Sequence, residues 1–331
     1  MRKFNQIILI AAIAFGFLSS VASGQTKLAQ TGFNFLGVSS DARSSGMGDA
    51  VNSLTGFSGA LSHNPASMAD MPTFFSSSFS INNWIADINY LALNAVITPF
   101  SGDYGVVGIS VQSVDYGEIE GTVVDGTNPN GYIETGIQKP SAFAIGIGYA
   151  KMLNDKFSVG AQIKFASQSL GESFTYNDSK LDSKKNKATA IAYDFGTVYR
   201  TGIKSLVFGM SVRNFSSEVK YEEEGFQLPL LFTVGVSANL LDFFDLLGAD
   251  QSLILSIDST HPRSHPEQIK VGLEYQFLKI LSLRGGYVSG NSEDDFTFGL
   301  GVSSFGVEFD YAYTPFGVFD NVQRFTARLS L

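Results

Sequence analysis

The run FGVEFDYAYT, residues 305–314, decides the fold. Phe305, Val307, Phe309, Tyr311 and Tyr313 fall on one parity, and Gly306, Glu308, Asp310, Ala312 and Thr314 on the other. Successive strand side chains point to opposite faces, so one face is continuously apolar and the other mixes glycine, hydroxyl and charge. The run is longer than the usual soluble strand of about 5–6 residues. It has the length a tilted strand needs to cross a bilayer, about 9–11 residues.

The same pattern extends outward in both directions. The last residues set Phe325, Ala327, Leu329 and Leu331 against Arg324, Thr326, Arg328 and Ser330. Upstream, Ile269, Val271, Leu273, Tyr275 and Phe277 oppose Lys270, Gly272, Glu274 and Gln276. Leu206, Phe208, Met210 and Val212 oppose Val207, Gly209, Ser211 and Arg213. About fourteen such runs cover 73–82, 86–100, 104–114, 141–151, 156–169, 188–200, 204–215, 228–240, 251–260, 267–278, 280–289, 294–303, 305–314 and 322–331. Their connections sort by parity. The even links are short, apart from 241–250. The odd links, 115–140, 170–187, 216–227, 261–266, 291–295 and 315–321, are long and polar. Short turns on one side and long loops on the other predict an all-β fold, a transmembrane antiparallel barrel of about fourteen strands over 73–331, with both chain ends on the short-turn, periplasmic side. A soluble sandwich needs no such sorting. An even strand number closes the sheet and leaves no edge.

Composition agrees. Charged residues are 16% of 331, against about 25% in a soluble protein, while 29 Phe, 13 Tyr and 34 Gly are abundant. The net charge of −9 argues against nucleic acid as a partner. No cysteine is present, which removes disulfides, thiolate metal sites and a lipoprotein anchor. At the start, Arg2 and Lys3 precede an apolar stretch from Ile7 to Leu18 and the small residues Ala22, Ser23 and Gly24. This predicts an export signal over 1–24. The expected location is the cell outer membrane.

Catalytic and metal motifs are absent. Of three histidines, His63, His261 and His265, the latter two each precede proline and read as loop turns. No cofactor, metal or enzymatic activity is expected. Alternation places Asp194, Arg213, Asp258, Lys270, Glu274, Arg284, Glu308, Asp310, Arg324 and Arg328 on the lumen side. Charges of both signs in a lumen must be paired or hydrated, so an ion-pair network is expected there, and an ion- or substrate-selecting ring is the alternative. Trp84 reads as an interfacial anchor. The loop aromatics Phe226, Phe316 and Phe319 are candidates to meet a ligand or a partner.

Residues 41–71 do not alternate. They are rich in Gly, Ser and Ala and end in Asn64-Pro65-Ala66. Phe35-Leu36, Ala42-Arg43, Gly46-Met47-Gly48-Asp49-Ala50 and Asn64-Pro65-Ala66 resemble the N-terminal signature of the PorV/PorQ family. WIADINY at 84–90, DFGTVYRTG at 194–202, GLEYQF at 272–277, LRGGY at 283–287 and the run from Asp310 to the end continue the resemblance over nearly all of the mature chain. The stretch Ser58 to His63 departs from it, lacking the acidic pair and aromatic residue that often precede Asn-Pro.

The family is similar to FadL-type barrels, which implies that 25–72 is a plug with short helices inside the lumen. Arg43, Gly46, Gly48, Asn64, Pro65 and Ala66 would be its defining residues, and Arg43 would pair with an inner-face carboxylate such as Glu308 or Asp310. The alternative is a periplasmic linker. The resemblance implies a role in type IX secretion, handling secreted proteins at the cell surface. Outer-membrane lipid, secreted proteins with C-terminal sorting domains and other secretion-system components would be the partners. The alternative it implies is a FadL-like channel for hydrophobic small molecules such as fatty acids. A purely structural barrel is the third reading.

Overall fold

The computed structural model describes residues 31–177, 180–221, 224–244, 250–290, 295–317 and 321–331. In chain order the strands are β1 (Phe75–Asn83), β2 (Asn89–Ile97), β3 (Val106–Asp115), β4 (Ile119–Val124), β5 (Tyr132–Gln138), β6 (Ser141–Asn154), β7 (Phe157–Asn177), β8 (Lys180–Arg200) and β9 (Val207–Phe215). They continue with β10 (Val219–Lys220), β11 (Gly225–Phe226), β12 (Leu231–Asn239), β13 (Gln251–Pro262), β14 (Gln268–Phe277), β15 (Leu281–Val288), β16 (Phe296–Ser304), β17 (Val307–Thr314) and β18 (Val322–Ser330). Fourteen of them close into one barrel, while β4–β5 and β10–β11 are separate two-stranded hairpins. The barrel closes where β1 pairs antiparallel with β18, from Ser76↔Ser330 to Asn83↔Gln323. Closure leaves no open edge to hydrocarbon along that seam.

The apolar parity faces outward. Ile145, Ile147, Phe165, Phe298, Phe309 and Phe325 are exposed around the wall, as lipid contact requires. The opposite parity faces inward and is buried, small or polar: Ser76, Ser78 and Ser80 on β1, Ala144 on β6, Gln162 and Lys164 on β7, Glu274 on β14. No helix of the described residues is long and apolar enough to cross a membrane; the crossings are made by strands.

The fourteen runs read from alternation each correspond to a barrel strand, but the odd links contain more structure than expected. Residues 170–187 are not a loop: β7 and β8 stay paired from Phe157↔Tyr199 to Asn177↔Lys180, with one irregularity between Ser169 and Glu172. Gly171, at φ 94°, takes the backbone through it. The link 115–140 folds as the β4–β5 hairpin, from Ile119↔Gln138 to Val124↔Tyr132. Polar composition marked both segments as loops, and cross-strand pairing of Thr, Val, Tyr and Lys decided otherwise.

Candidate functional site

Residues 31–72 occupy the lumen from end to end. Thr31 forms a parallel bridge with Gln227 in the β9–β12 link, at the long-loop end. At the other end Phe75 and Leu331 exchange both backbone hydrogen bonds, at 3.0 and 2.8 Å. Thr31, the first described residue, therefore lies at the opposite end of the barrel from Leu331, and the N-terminal end of the chain lies outside the described residues. The export signal expected over 1–24 lies outside the described residues.

The plug segment folds as short turns because its residues cap them. The Asp41 carboxylate accepts from the Ser44 N–H at 2.8 Å and from its hydroxyl at 2.7 Å, starting the helix Ala42–Gly46. Asn64 accepts from the Ala66 N–H at 3.1 Å and starts the turn Pro65–Asp70, with Pro at its first position. The Asn64 amide also donates to the Asn52 and Thr197 carbonyls at 2.8 and 3.1 Å. Glycines of the wall make room. A methyl on Gly196 would stand 1.9 Å from Asn64 Oδ1, and one on Gly160 would stand 2.5 Å from the Ala66 nitrogen. On the other side, Gly46 faces Gly299, and a methyl on Gly286 would meet the Gly48 nitrogen at 2.1 Å. Gly48 itself has φ 63° and donates to Thr297 Oγ1 at 3.0 Å.

An ion-pair cluster fastens this side. Arg43 holds Glu274 through two bonds, Nε to Oε2 at 2.9 Å and Nη2 to Oε1 at 2.7 Å. The partner is an inner-face carboxylate, as expected, while the two examples Glu308 and Asp310 are taken by wall arginines. Glu308 bonds Arg328 at 2.6 Å and Arg284 at 3.2 Å. Asp310 also lies against both arginines, and Arg284 reaches back to Glu274 at 2.5 Å. Arg328 crosses to Asp41 of the plug at 3.0 Å. Phe57 lies under the Arg43 and Arg328 guanidinium carbons, 4.8 and 5.5 Å from its ring centre. Arg43 loses to geometry rather than charge: Glu274 is the acid across from the helix that carries it. Burial works against the charge of Asp41, but Arg328 and the two Ser44 donors hold its carboxyl below the usual range.

The remaining charges form a second, looser group. Lys164 pairs with Asp194 at 2.8 Å, and Asp194 accepts from the Asn214 N–H at 2.7 Å. Arg213 donates to the Ser62 carbonyl at 2.6 Å. Asp258 accepts from the Asn52 N–H at 2.9 Å, while its other oxygen has no partner. Asp258 and Lys270 line a 20 Å³ cavity with Asp49, His63 and Arg213. A 60 Å³ void beside it is lined by Ser40, Asn94, Gln162 and Lys164. They have room for about one and about four waters. Burial, and next the nearby Arg213, push His63 down to about 4.

The extracellular mouth is closed by aromatics. Phe226 stacks on Tyr221 at 5.2 Å and on Phe33 at 6.0 Å between ring centres. Phe316 meets Trp84 edge-on at 5.4 Å. Trp84 is no lipid-facing anchor: it packs on the inward Tyr90 and under Arg324, 5.1 Å from its ring. Arg324 also donates to the Ser39 carbonyl at 3.1 Å and to Thr314 Oγ1 at 3.0 Å. Phe319 lies outside the described residues. Asp41, Asn52, His63, Lys164 and Asn214 were not singled out from sequence for this network. Asp41, one residue ahead of Ala42-Arg43, carried the available signal as a helix cap, and Lys164 carried the lumen parity of its strand.

Comparison with known proteins completes the description. The profile of the type IX secretion system membrane protein PorP/SprF family matches residues 132–316, over half the chain. No curated protein matches the sequence. Among solved structures, the toluene transporter TodX of Pseudomonas putida superposes with a TM-score of 0.58 at 12% identity, covering 93% of this chain and 99% of that one. The CymD monoaromatic hydrocarbon channel gives 0.60 at 12% identity, with 91% and 99% covered. The toluene transporter TbuX of Ralstonia pickettii gives 0.55 at 12% identity, with 88% and 98% covered. At that identity the likeness is one of fold.

Proposed function

The chain belongs to the type IX secretion system membrane protein PorP/SprF family, and from that premise we propose that it handles secreted proteins at the cell surface, as the PorV/PorQ resemblance implies, by binding and passing them on rather than by catalysis. One observation carries the reading. The lumen is filled by residues 31–72 and fastened by buried ion pairs, while the β7–β8 hairpin remains paired out to Asn177↔Lys180. The surface offered to a partner lies above the barrel, not through it.

A hydrophobic channel, suggested by the named ligands of TodX and CymD, would need an apolar route. The lumenal voids are small, 20 and 60 Å³; the first is polar, while Leu36, Val38, Val111 and Ala144 share the lining of the second. The aromatic mouth at Phe33, Tyr221 and Phe226 is the observation in its favour.

Gentle detergent extraction of the tagged protein from outer membranes, with proteins and lipids identified from one eluate, tests the two. Co-purified exported proteins support handling. Stoichiometric bound lipid or hydrocarbon without a protein partner overturns it for the channel.

A further inference from the structure

Two neighbouring strands of the wall differ in height. β9 pairs with β8 only from Arg200↔Val207 up to Tyr193↔Phe215, whereas β8 continues to Lys180. On the other side the wall stays continuous, with Lys187 paired to Ser169, Ser169 to Ser141 and Ser141 to Asp115. Residues 188–192 thus stand level with lipid-facing wall, and one of their edges has no ladder partner among the described residues. Ile191 points outward and is 54% exposed.

The break is built rather than frayed. Asp194 opposes a bulge in β9, where Asn214 takes φ 62° and its side-chain amide donates to the Pro229 carbonyl at 3.0 Å. The chain then turns inward. Val219 and Leu228 of the β9–β12 link join Ala188, Ala190 and Ala192 in one buried cluster on the lumenal side. No backbone hydrogen bond joins the link to residues 188–192 among the described residues. Unpaired N–H and C=O groups at membrane depth are costly, and a free strand edge is a template for another strand. Above the rim β8 carries Lys184, Lys185 and Lys187 against Asp182 on the same strand and Glu172 of β7, 3.7 Å from Lys185, which leaves this stretch net basic.

The geometry points to strand addition: the β8 edge over 181–192 pairs backbone to backbone with an extended, acidic segment of an exported protein. The identity of that occupant rests on the function proposed above; the open edge does not.

A photo-crosslinking amino acid at Ile191, with Ile147 on the paired wall as control, tests it in the native outer membrane with the full chain. The expected result is a protein adduct at 191 at least five-fold above 147, mapping to an extended acidic segment of an exported protein. Reversing K184E, K185E and K187E together lowers it at least five-fold while the heat-modifiable folded band is unchanged. Equal labelling at both positions, lipid adducts alone, an adduct with a second copy of this chain, or indifference to charge reversal overturns the site. Hydrogen exchange on the purified protein in detergent reads the edge directly. Amides within 188–192 exchange at least ten-fold faster than those within 145–149, and equal protection overturns the open edge. The two readings separate in a strain lacking the gene. If the adduct partner still reaches the surface, the edge site stands and the handling role falls. Lost display with no adduct at 191 does the reverse.

Discussion

At the scale of single residues, Glu274 is the joint between plug and wall, because it holds Arg43 and Arg284 together. Replacing it with glutamine leaves two buried guanidiniums under-compensated, and breaking such a pair costs about 3–5 kcal/mol. E274Q should lower the thermal midpoint of the folded band on semi-native gels, with a smaller loss in the R43M/E274Q double variant. Glycine makes a sharper contrast. A methyl at Gly286 would sit 2.1 Å from the Gly48 nitrogen, whereas one at Gly285 would meet nothing within 4 Å. G286A should cost at least about 1–3 kcal/mol, and G285A should stay within about 0.5 kcal/mol; denaturant midpoints in one detergent compare them. His63 titrates lower when folded, near 4, than its ordinary 6.5. The unfolded chain therefore takes up the proton first, and this contribution to stability is intact above pH 6.5 and lost as pH falls toward 4. H63N should flatten the slope of stability between those limits relative to the native protein. The side of the wall that carries each charge was legible, because strand alternation fixes it. The partner of Arg43 was not, because a short capped helix has no register with the sheet until it is packed.

At the scale of elements, period two identified every barrel strand, while three of the long odd links, 115–140, 170–187 and 216–227, hid hairpins. Alternation reports lipid on one face, so it fades where β7 and β8 rise into water and both faces turn polar. The outer half of that hairpin carries none of the lipid-facing wall. Replacing 172–185 with Asn-Gly should leave a heat-modifiable barrel with little change in its midpoint; loss of the folded band would make this hairpin part of the barrel's stability. The plug could not be read as a fold from its own composition. Small residues permitted it, but the hollows that receive it are glycines spread over many strands, among them Gly160, Gly196, Gly286 and Gly299.

At the scale of the whole molecule, the filled lumen sets permeability. Voids of 20 and 60 Å³ pass no sugar-sized solute. Liposomes containing the protein should not swell in arabinose, whereas a variant lacking 31–71 should swell if its strands close. Swelling of the intact protein would mean that the plug leaves its seat unaided. The seam between β1 and β18 joins Ser76 to Ser330, the strand pairing most distant in sequence and the last one available to a closing sheet. The plug lies directly ahead of β1 and fills the cross-section that this seam encloses. It cannot be threaded into a finished cylinder, so the wall is completed around it. The segment ahead of β1 must then wait for the last strand, and its departure from the finished protein would be a matter of kinetics rather than of affinity.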